Sequence, residues 1–194
     1  MSTRSFTPQL GVLLVTLFAC KGDPEASSDS DAKPDLGPKA KAANDEVPEP
    51  LKAELSFEVQ EVDEGNIAAL VPNGWKPGFM PGRFEPVDGA FGVSYSLGSN
   101  CDGACVSKDW LPIIEKVEFK DSVPQGLALE VEALGETASL HVYTGSDEAY
   151  VRAAWWKSDS RRYFYCRADL KGSMVAAKQA FASACKATHV LDWD

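Results

Sequence analysis

Five cysteines are the residues of this sequence whose spacing most directly implies chemistry. Cys20 stands alone near the N-terminus, and the others are Cys101, Cys105, Cys166 and Cys185. Four cysteines can pair in three ways, and an even number in an exported chain favours disulfides. A zinc site would need two close-set pairs, and a redox-active pair at Cys101 and Cys105 would need the Cys-x-x-Cys spacing. Disulfides are therefore the reading that the spacing favours.

Periodicity directs two of these cysteines toward the same core. Cys166 lies with Phe164 on the apolar face of a predicted strand, and Cys185 shares an apolar helical stripe with Phe181. A helix that packs on the strand before it brings such side chains within bonding distance, and closing this loop is worth about 3 kcal/mol of chain entropy. We predict a Cys166–Cys185 disulfide and a local Cys101–Cys105 disulfide, and the other pairings stay open.

The sequence contains no recognisable catalytic motif. The segment Gly92–Ser96 is one residue short of the Gly-x-Ser-x-Gly elbow, and it lies within an alternating strand. His141 and His189 have no ligand or triad partner at a telling spacing, and the acidic residues around Asp29 lack the loop of an EF-hand. Phosphate loops and dinucleotide fingerprints are absent too. We assign no catalytic residue, no metal and no cofactor, and we expect the chain not to be an enzyme.

Cys20 follows a short apolar run that ends in the tetrapeptide Leu17–Cys20. The run, from Leu10 to Phe18, is too short for a helix that spans a bilayer, which needs about twenty residues. Its length and the cation near the start, Arg4, are typical of a signal peptide. With a leucine at its start and a small alanine directly before the cysteine, the tetrapeptide resembles the export signals of bacterial lipoproteins.

This resemblance implies that residues 1–19 are a signal peptide and that Cys20 is acylated, so that the lipid bilayer is one partner of the chain. Two or more acyl chains make a stable anchor, whereas one alone is marginal. Lys21, where some lipoproteins carry aspartate, implies the outer membrane rather than the inner one under the sorting rule of enteric bacteria. Exposure on the periplasmic side or on the cell surface is left open.

Residues 20–50 predict a disordered acidic tether. Alanine, serine, proline and charged residues dominate this stretch, and its large apolar residues are Leu36 and Val47. Such a composition buries too little surface to offset the loss of chain entropy on folding. The folded part is therefore expected to begin near Leu51.

The charge balance argues against nucleic acid as a partner. The sequence has 19 Lys and Arg against 29 Asp and Glu, a net charge of −10. Nucleic-acid phosphates attract clustered Lys and Arg, and anionic lipid headgroups repel an acidic domain. Attachment to a membrane must then come from lipid rather than from charge.

We expect one α+β domain over residues 51–194, with a central antiparallel sheet and helices packed on it. Alternating residues predict three early strands, at about residues 55–60, 67–71 and 91–97. A helix follows Asp109, and four strands in series, separated by short polar turns, come next. The clearest alternation, which we expect to face the core, is that of Leu127, Leu129, Val131 and Ala133. A last helix spans about residues 173–187.

Two sets of side chains are candidate binding surfaces. The first is in the Gly- and Pro-rich loop 75–90, where we expect no regular structure, and consists of Trp75, Phe79 and Phe84. That loop either packs as a flap over the core or forms the wall of a ligand pocket. The second set is on the outward faces of the last two strands and consists of Arg152, Trp156, Tyr163, Tyr165 and Arg167. Aromatic residues with arginine are typical of interfaces, and equally of a sheet face that a helix or loop covers.

The order of the predicted elements adds a second resemblance. With Val71–Trp75 after a strand and Phe181–Cys185 in the last helix, the domain is similar to the PsbP-like family. Members of that family are α/β/α sandwiches with a central antiparallel sheet, and many serve as non-enzymatic binding or assembly modules. The cysteines and the loop 75–90 depart from the family pattern, so the resemblance transfers no functional residue.

The function that we expect is that of a membrane-anchored envelope lipoprotein. Its globular domain would be a non-enzymatic binding or assembly module for an envelope protein or a small ligand. Two alternatives stay open: a hydrolase that acts on envelope material, which would need convergent acid, base or nucleophile groups, and a purely structural accessory lipoprotein.

Overall fold

A large antiparallel sheet forms the centre of the fold. The computed structural model describes residues 34–90, 92–101 and 109–193, and its elements confirm the predicted α+β class. Numbered in chain order, the seven strands of the large sheet lie in the spatial order β3 (Lys76–Pro77), β4 (Arg83–Glu85), β5 (Ser94–Asn100), β9 (Tyr163–Lys171), β8 (Glu148–Trp155), β7 (Ala138–Thr144) and β6 (Ala128–Gly135). A small sheet has the order β1 (Phe57–Val62), β2 (Ile67–Pro72) and β10 (His189–Val190). The pairings between these strands are antiparallel, so the predicted series β6 to β9 is confirmed.

Helices cover both faces of this sheet. They are α1 (Gly37–Asp45), α2 (Leu111–Val117) and α3 (Lys178–Lys186), with 3-10 segments at Glu49–Leu51 and Gly172–Ala177. A proline stands in the first turn of both α1 and α2, where its missing N–H would have no helical partner in any case. The single helix predicted over residues 173–187 therefore begins as a 3-10 segment and continues as α3.

Phe181 of α3 is at the centre of the main core, on the first face of the large sheet. Its ring centroid lies 5.2 Å from that of Phe57, 5.7 Å from that of Trp75 and 5.6 Å from that of Tyr95. Aromatic pairs at such separations add to the free energy gained from burying their surface. The predicted Cys166–Cys185 disulfide is confirmed and joins β9 to α3 within this core.

The predicted boundary between tether and domain is wrong. Leu36, Ala43 and Val47 are buried in the main core, and α1 lies where a disordered segment was expected. The side chain of Asn44 also brackets the start of β1: its Nδ2 donates to the carbonyl oxygen of Phe57 at 3.0 Å, and its Oδ1 accepts from the Phe57 N–H at 2.7 Å. The segment 34–50 is part of the folded unit, and residues 1–33 lie outside the described ranges.

Strand β6 does not face the core as predicted. Leu129 and Val131 are 50% and 59% exposed, and nearly all of the strand is accessible to solvent. The physical reason is its position: β6 is the last strand of the sheet, and the apolar cluster around α2 does not extend to the face that carries Leu129 and Val131. Alternation in the sequence indicates a two-faced strand, but it does not tell an edge strand from a central one.

Replacing Leu36 by alanine tests the corrected boundary. We expect Leu36→Ala to lower the free energy of unfolding by about 2–5 kcal/mol, because it removes a nearly fully buried side chain from the core. Urea unfolding followed by circular dichroism measures the change, and Lys39→Ala, at an exposed position of the same helix, is the matched control. Equal unfolding curves for Leu36→Ala and wild type would show that this segment is a tether after all.

Candidate functional site

The second face of the large sheet carries the predicted set of aromatic and arginine residues, and it is largely covered. Helix α2 and its flanking residues form a second apolar cluster with this face, made of Trp110, Ile114, Phe119, Ala154, Trp156 and Tyr163. The indole Nε1 of Trp110 donates to the carbonyl oxygen of Ser160 at 2.9 Å. The segment around α2 is thereby fixed to the sheet by packing and by a hydrogen bond.

A buried carboxylate, Glu118, lies at the centre of this cover. Its residue is inaccessible to solvent, and its oxygens accept hydrogen bonds from the Tyr163 hydroxyl at 2.7 Å and from Arg167 Nε at 2.7 Å and Nη2 at 2.6 Å. The Tyr163 oxygen in turn accepts from Asn100 Nδ2 at 2.9 Å. A buried charge is tolerated when it is paired and hydrogen-bonded in this way. The network therefore joins the end of α2 to strands β5 and β9.

The pKa values of Tyr163 and Arg167 reflect their contacts with the Glu118 carboxylate. Burial raises the pKa of Tyr163 far above its ordinary value, and the adjacent Glu118 carboxylate raises it further, so the phenol stays a proton donor. Burial alone would lower the pKa of Arg167, but the hydrogen bonds to Glu118, the negative charge of that carboxylate and the neighbouring tyrosines together raise it. Both groups are thus held in the protonated states that the carboxylate needs, and the network stabilises the cover rather than offering a group for acid or base catalysis.

Arg152 fastens the same segment at a second point. Its side chain is only 3% exposed; Nε donates to Ser122 Oγ at 3.0 Å, and Nη2 donates to the Ser122 carbonyl oxygen at 3.0 Å and to Asp169 Oδ1 at 2.7 Å. Nη1 donates to the carbonyl oxygens of Val151 and Ala168. An arginine whose donors are used within the protein has little left to offer a partner.

The prediction of a free binding face is wrong for most of this set. Arg152, Trp156 and Tyr163 are buried beneath α2 and the residues that follow it. Tyr165 and Arg167 are half-buried, with the guanidinium carbon 4.1 Å from the tyrosine ring centroid. Close packing fixes Tyr165 further, since a side chain added at Gly98 would meet its hydroxyl at 2.9 Å. The other reading of the pattern, a sheet face covered by helix and loop, is the correct one.

His141 has partners that the sequence did not indicate. Its ring is stacked on Phe119 with centroids 3.7 Å apart, its Nε2 lies 3.1 Å from Ser139 Oγ, and its Nδ1 lies 3.2 Å from the Tyr143 hydroxyl. A serine–histidine contact is one element of a nucleophilic site. Here, however, the third partner is a phenol, which donates to the Phe119 carbonyl oxygen at 2.5 Å, rather than a carboxylate that would stabilise an imidazolium. The contact serves to hold the residues after α2 on β7.

The loop 75–90 forms a defined hairpin, whereas the sequence predicts no regular structure there. Strands β3 and β4 pair across a tip at residues 78–82, and the Gly78 N–H donates to the Arg83 carbonyl oxygen at 2.7 Å. Gly82 has a φ of +69°, and a Cβ at this position would lie 2.0 Å from the Leu97 carbonyl oxygen, so only glycine fits. The tip is thus held against β5 by its backbone.

The three aromatic residues of this loop have different environments. Trp75 is buried against Phe181, and Phe84 is half-buried with its ring centroid 6.5 Å from that of Tyr95. Phe79, at the hairpin tip, is 101% exposed, and its neighbour Met80 is 58% exposed. The ends of the loop therefore pack on the core, as in the predicted flap, whereas its tip projects into solvent, which neither prediction included.

An open groove of about 480 Å³ lies at the base of the hairpin. Trp75, Met174 and Val87 give it an apolar surface, and the exposed carboxylates Glu54 and Asp88 lie at its rim. Phe84 is not among its lining residues, and the charges that line it are accessible to solvent. The groove therefore lacks the buried charged group that would indicate catalysis.

Several predicted features lie outside the described ranges. These are Cys20, the signal peptide and Cys105; Cys101 is disulfide-bonded, but its predicted partner is among the residues not described. Within residues 34–90, 92–101 and 109–193, His, Cys, Asp and Glu form no group of three that could hold a metal ion. Every helix in these ranges is too short or too polar to cross a bilayer.

Comparison with known proteins gives little beyond the fold. No protein family and no curated protein sequence matches the chain. A solved structure of a mutant of the protein Mog1 is similar at a TM-score of 0.47 and 12% sequence identity, over 71% of this chain and 97% of that one. A likeness at that level carries no argument about function.

The lowered pKa of His141 predicts a loss of stability toward acid. Burial lowers this pKa below 6.5, although Glu115 opposes the shift, so the folded state favours the neutral ring. The stabilisation of the folded state by neutral His141 is therefore complete above about pH 6.5, and it is lost as the pH falls through the folded-state pKa. In urea unfolding between pH 7.5 and 5.5, we expect the decrease in stability to be smaller for His141→Gln than for wild type.

The exposed His189 supplies the control for this measurement. His189→Gln is the matched histidine substitution at an exposed position, and its unfolding is measured over the same pH range. If His141→Gln and wild type lose stability in parallel over this range, the titration of His141 is not coupled to folding.

Proposed function

We propose that this chain is a lipid-anchored envelope lipoprotein whose domain is a non-enzymatic module that binds a partner protein through the tip of the hairpin β3–β4. The observation that carries the proposal is the full exposure of Phe79, next to Met80, on a backbone held in place by Gly82. Transferring one such side chain from water into an apolar pocket is worth about 1.5–3 kcal/mol. A tip whose backbone is hydrogen-bonded at Gly78 and Gly82 loses little backbone conformational entropy on binding, which favours its use as a binding element.

The charge of the hairpin base favours a particular kind of partner. Glu54 and Asp88 lie at the rim of the groove beneath the hairpin, and no cation is paired with them in the described part of the chain. A partner that presents an apolar pocket flanked by basic side chains would be complementary to the tip and the rim together. The net charge of −10 disfavours an anionic membrane surface as the target of Phe79.

The lipid anchor rests on the tetrapeptide Leu17–Cys20 and the apolar run before it. We propose cleavage before Cys20 and acylation of its sulfur and amine, with the outer membrane as the destination. An acidic domain gains nothing from anionic headgroups, so its attachment would depend on acyl chains, and two of them are needed for a stable anchor.

Membership of the PsbP-like family is part of the same proposal. The two segments that suggest it, Val71–Trp75 and Phe181–Cys185, meet through the rings of Trp75 and Phe181, 5.7 Å apart. This contact between the turn after β2 and the last helix is the observation in this chain that supports the proposal.

Crosslinking at the hairpin tip tests the binding surface. We expect p-benzoylphenylalanine in place of Phe79, in the membrane-anchored chain in cells, to form one discrete adduct with an envelope protein. The same amino acid in place of Ser146, at the exposed turn between β7 and β8, is the matched control. Adding Met80→Asp to the chain that carries the crosslinker at position 79 should remove the adduct, because it puts a charge beside the apolar side chain at the tip.

Two results would contradict the proposal. Identical adducts from positions 79 and 146 would show collision rather than a specific contact. If the crosslinker at position 79 reacted with lipid and formed no adduct with a protein, the tip would be a membrane contact.

Replacing Cys20 tests the anchor separately. Cys20→Ala should move the chain from the membrane fraction to the soluble fraction after cell lysis, because the acylated sulfur is lost. Mass spectrometry of the wild-type N-terminal peptide should find the acyl groups. Wild-type chains without acylation, or Cys20→Ala chains that stay with the membrane after a carbonate wash, would contradict the lipoprotein proposal.

A further inference from the structure

Strand β6 is a long edge strand whose outer backbone groups have no backbone partner among the described residues. It spans Ala128–Gly135 and pairs with β7 on one side, and within the described ranges no other backbone hydrogen bond reaches it. Its sequence has neither the lysine nor the proline that commonly blocks an exposed edge, and the irregularity in its pairing is confined to its end, at Ala133 and Gly135. An edge of this kind is a template for one more strand.

The other sheet edges of the described chain are blocked at one end or are very short. The start of β1 is bracketed by the side chain of Asn44, which uses both the N–H and the carbonyl oxygen of Phe57. Strands β3 and β10 have two residues each. Among these edges, β6 therefore combines a long strand with outer backbone groups that no described side chain blocks.

The two faces of β6 differ in chemistry. Leu129 and Val131, both at least half exposed, lie on the face that β7 continues with Tyr143 and His141. Glu130 and Glu132 lie on the opposite face, toward α3. An added strand would thus meet an apolar row on one side and an acidic row on the other.

The acidic row is only partly neutralised. Lys186 of α3 forms an ion pair with Glu132 at 2.8 Å. Glu130 has no such partner in the described part of the chain, and with Gln179 and Lys186 it lines an open groove of about 300 Å³ beside α3. A basic side chain on an incoming strand would complete the pairing at Glu130 and lie in this groove.

A second copy of the chain fits this edge poorly. In an antiparallel pair of two β6 strands centred on Val131, Glu130 of each copy faces Glu132 of the other; in a pair centred on Glu130, the two Glu130 carboxylates face each other. Like charges directly opposite one another are destabilising. In these two central registers the charge pattern therefore disfavours a second copy and favours a different chain.

We infer that the free edge of β6 binds an extended segment of a partner protein as an eighth strand of the large sheet. The segment alternates apolar residues, which pack on Leu129 and Val131, with basic residues, one of which pairs with Glu130. This surface is separate from the hairpin β3–β4, and it holds whether or not the hairpin binds a partner. The two surfaces lie at opposite ends of the strand order.

Two synthetic peptides serve as probes of this inference. Both are capped heptapeptides, Thr-Val-Lys-Val-Lys-Val-Thr and its counterpart with glutamate in place of lysine, labelled with a fluorophore. Fluorescence anisotropy against the full chain should show the basic peptide binding at least about fivefold more tightly than the acidic one, because the charge at Glu130 acts in opposite senses on them. Glu130→Lys should reverse this preference, which a purely structural role of Glu130 would not do.

Location on β6 is tested with a matched pair of variants. Val131→Lys should weaken binding of the basic peptide at least about fivefold, whereas Val59→Lys, at a similarly exposed valine on β1, should not. Equal losses in both variants, an unchanged preference in Glu130→Lys, or no anisotropy change at up to millimolar concentrations of the full chain would each overturn the inference. The inference would also be overturned if sedimentation showed a dimer of the wild type and Val131→Lys dissociated that dimer. The edge of β6 would then bind a second copy of the chain.

Discussion

The buried carboxylate of Glu118 is the constraint on which the second face of the sheet depends. Removing a charge from water costs several kcal/mol, and here hydrogen bonds from Tyr163 and both Nε and Nη2 of Arg167 offset that cost. These donors come from β9, whereas Glu118 follows α2, so satisfying the charge requires α2 to lie on the sheet. Arg152 adds a second attachment through Ser122, and the apolar contacts of Trp110 and Ile114 fill the space between.

This cover decides where a partner can bind. With α3, the small sheet and α1 on the first face and α2 on the second, the middle of the large sheet offers little free surface. The large apolar side chains that stay exposed include two pairs at its margins: Phe79 and Met80 on the hairpin β3–β4, and Leu129 and Val131 on β6. Arginine and aromatic residues in alternating strands suggest a binding face, but in this chain they hold a helix. The proposed binding module thus uses the ends of the sheet rather than its faces.

The sequence predicts those parts of the fold that depend on local patterns. Two independent periodicities place Cys166 and Cys185 in one core, and the polar turns between the last four strands predict their antiparallel order. Helix α1 was missed because its residues are mostly alanine and charged, and its stability comes from tertiary contacts of Leu36 and Val47. Glu118 was missed as well, although Trp110, Ile114 and Glu118 follow one another at helical spacing on a single stripe. Glutamate is rarely buried, so its position on an apolar stripe does not by itself indicate a core residue. The partners that make burial possible, Tyr163 and Arg167, come from β9 and are distant in the sequence.

Hydrogen exchange of the α2 amides tests the central claim, that the Glu118 carboxylate holds α2 and its flanking residues on the sheet. In wild type, the N–H groups of Ile114 and Glu118, which are hydrogen-bonded within the helix, should be protected from exchange. Glu118→Ala should raise their exchange rates about a hundredfold or more while α3 stays protected, because breaking a buried ion pair costs about 3–5 kcal/mol. Glu115→Ala, at an exposed position of the same helix, should leave the rates unchanged. Wild-type α2 amides that exchange as fast as an exposed loop, or equal rates in Glu118→Ala and wild type, would contradict the account and leave the aromatic face open.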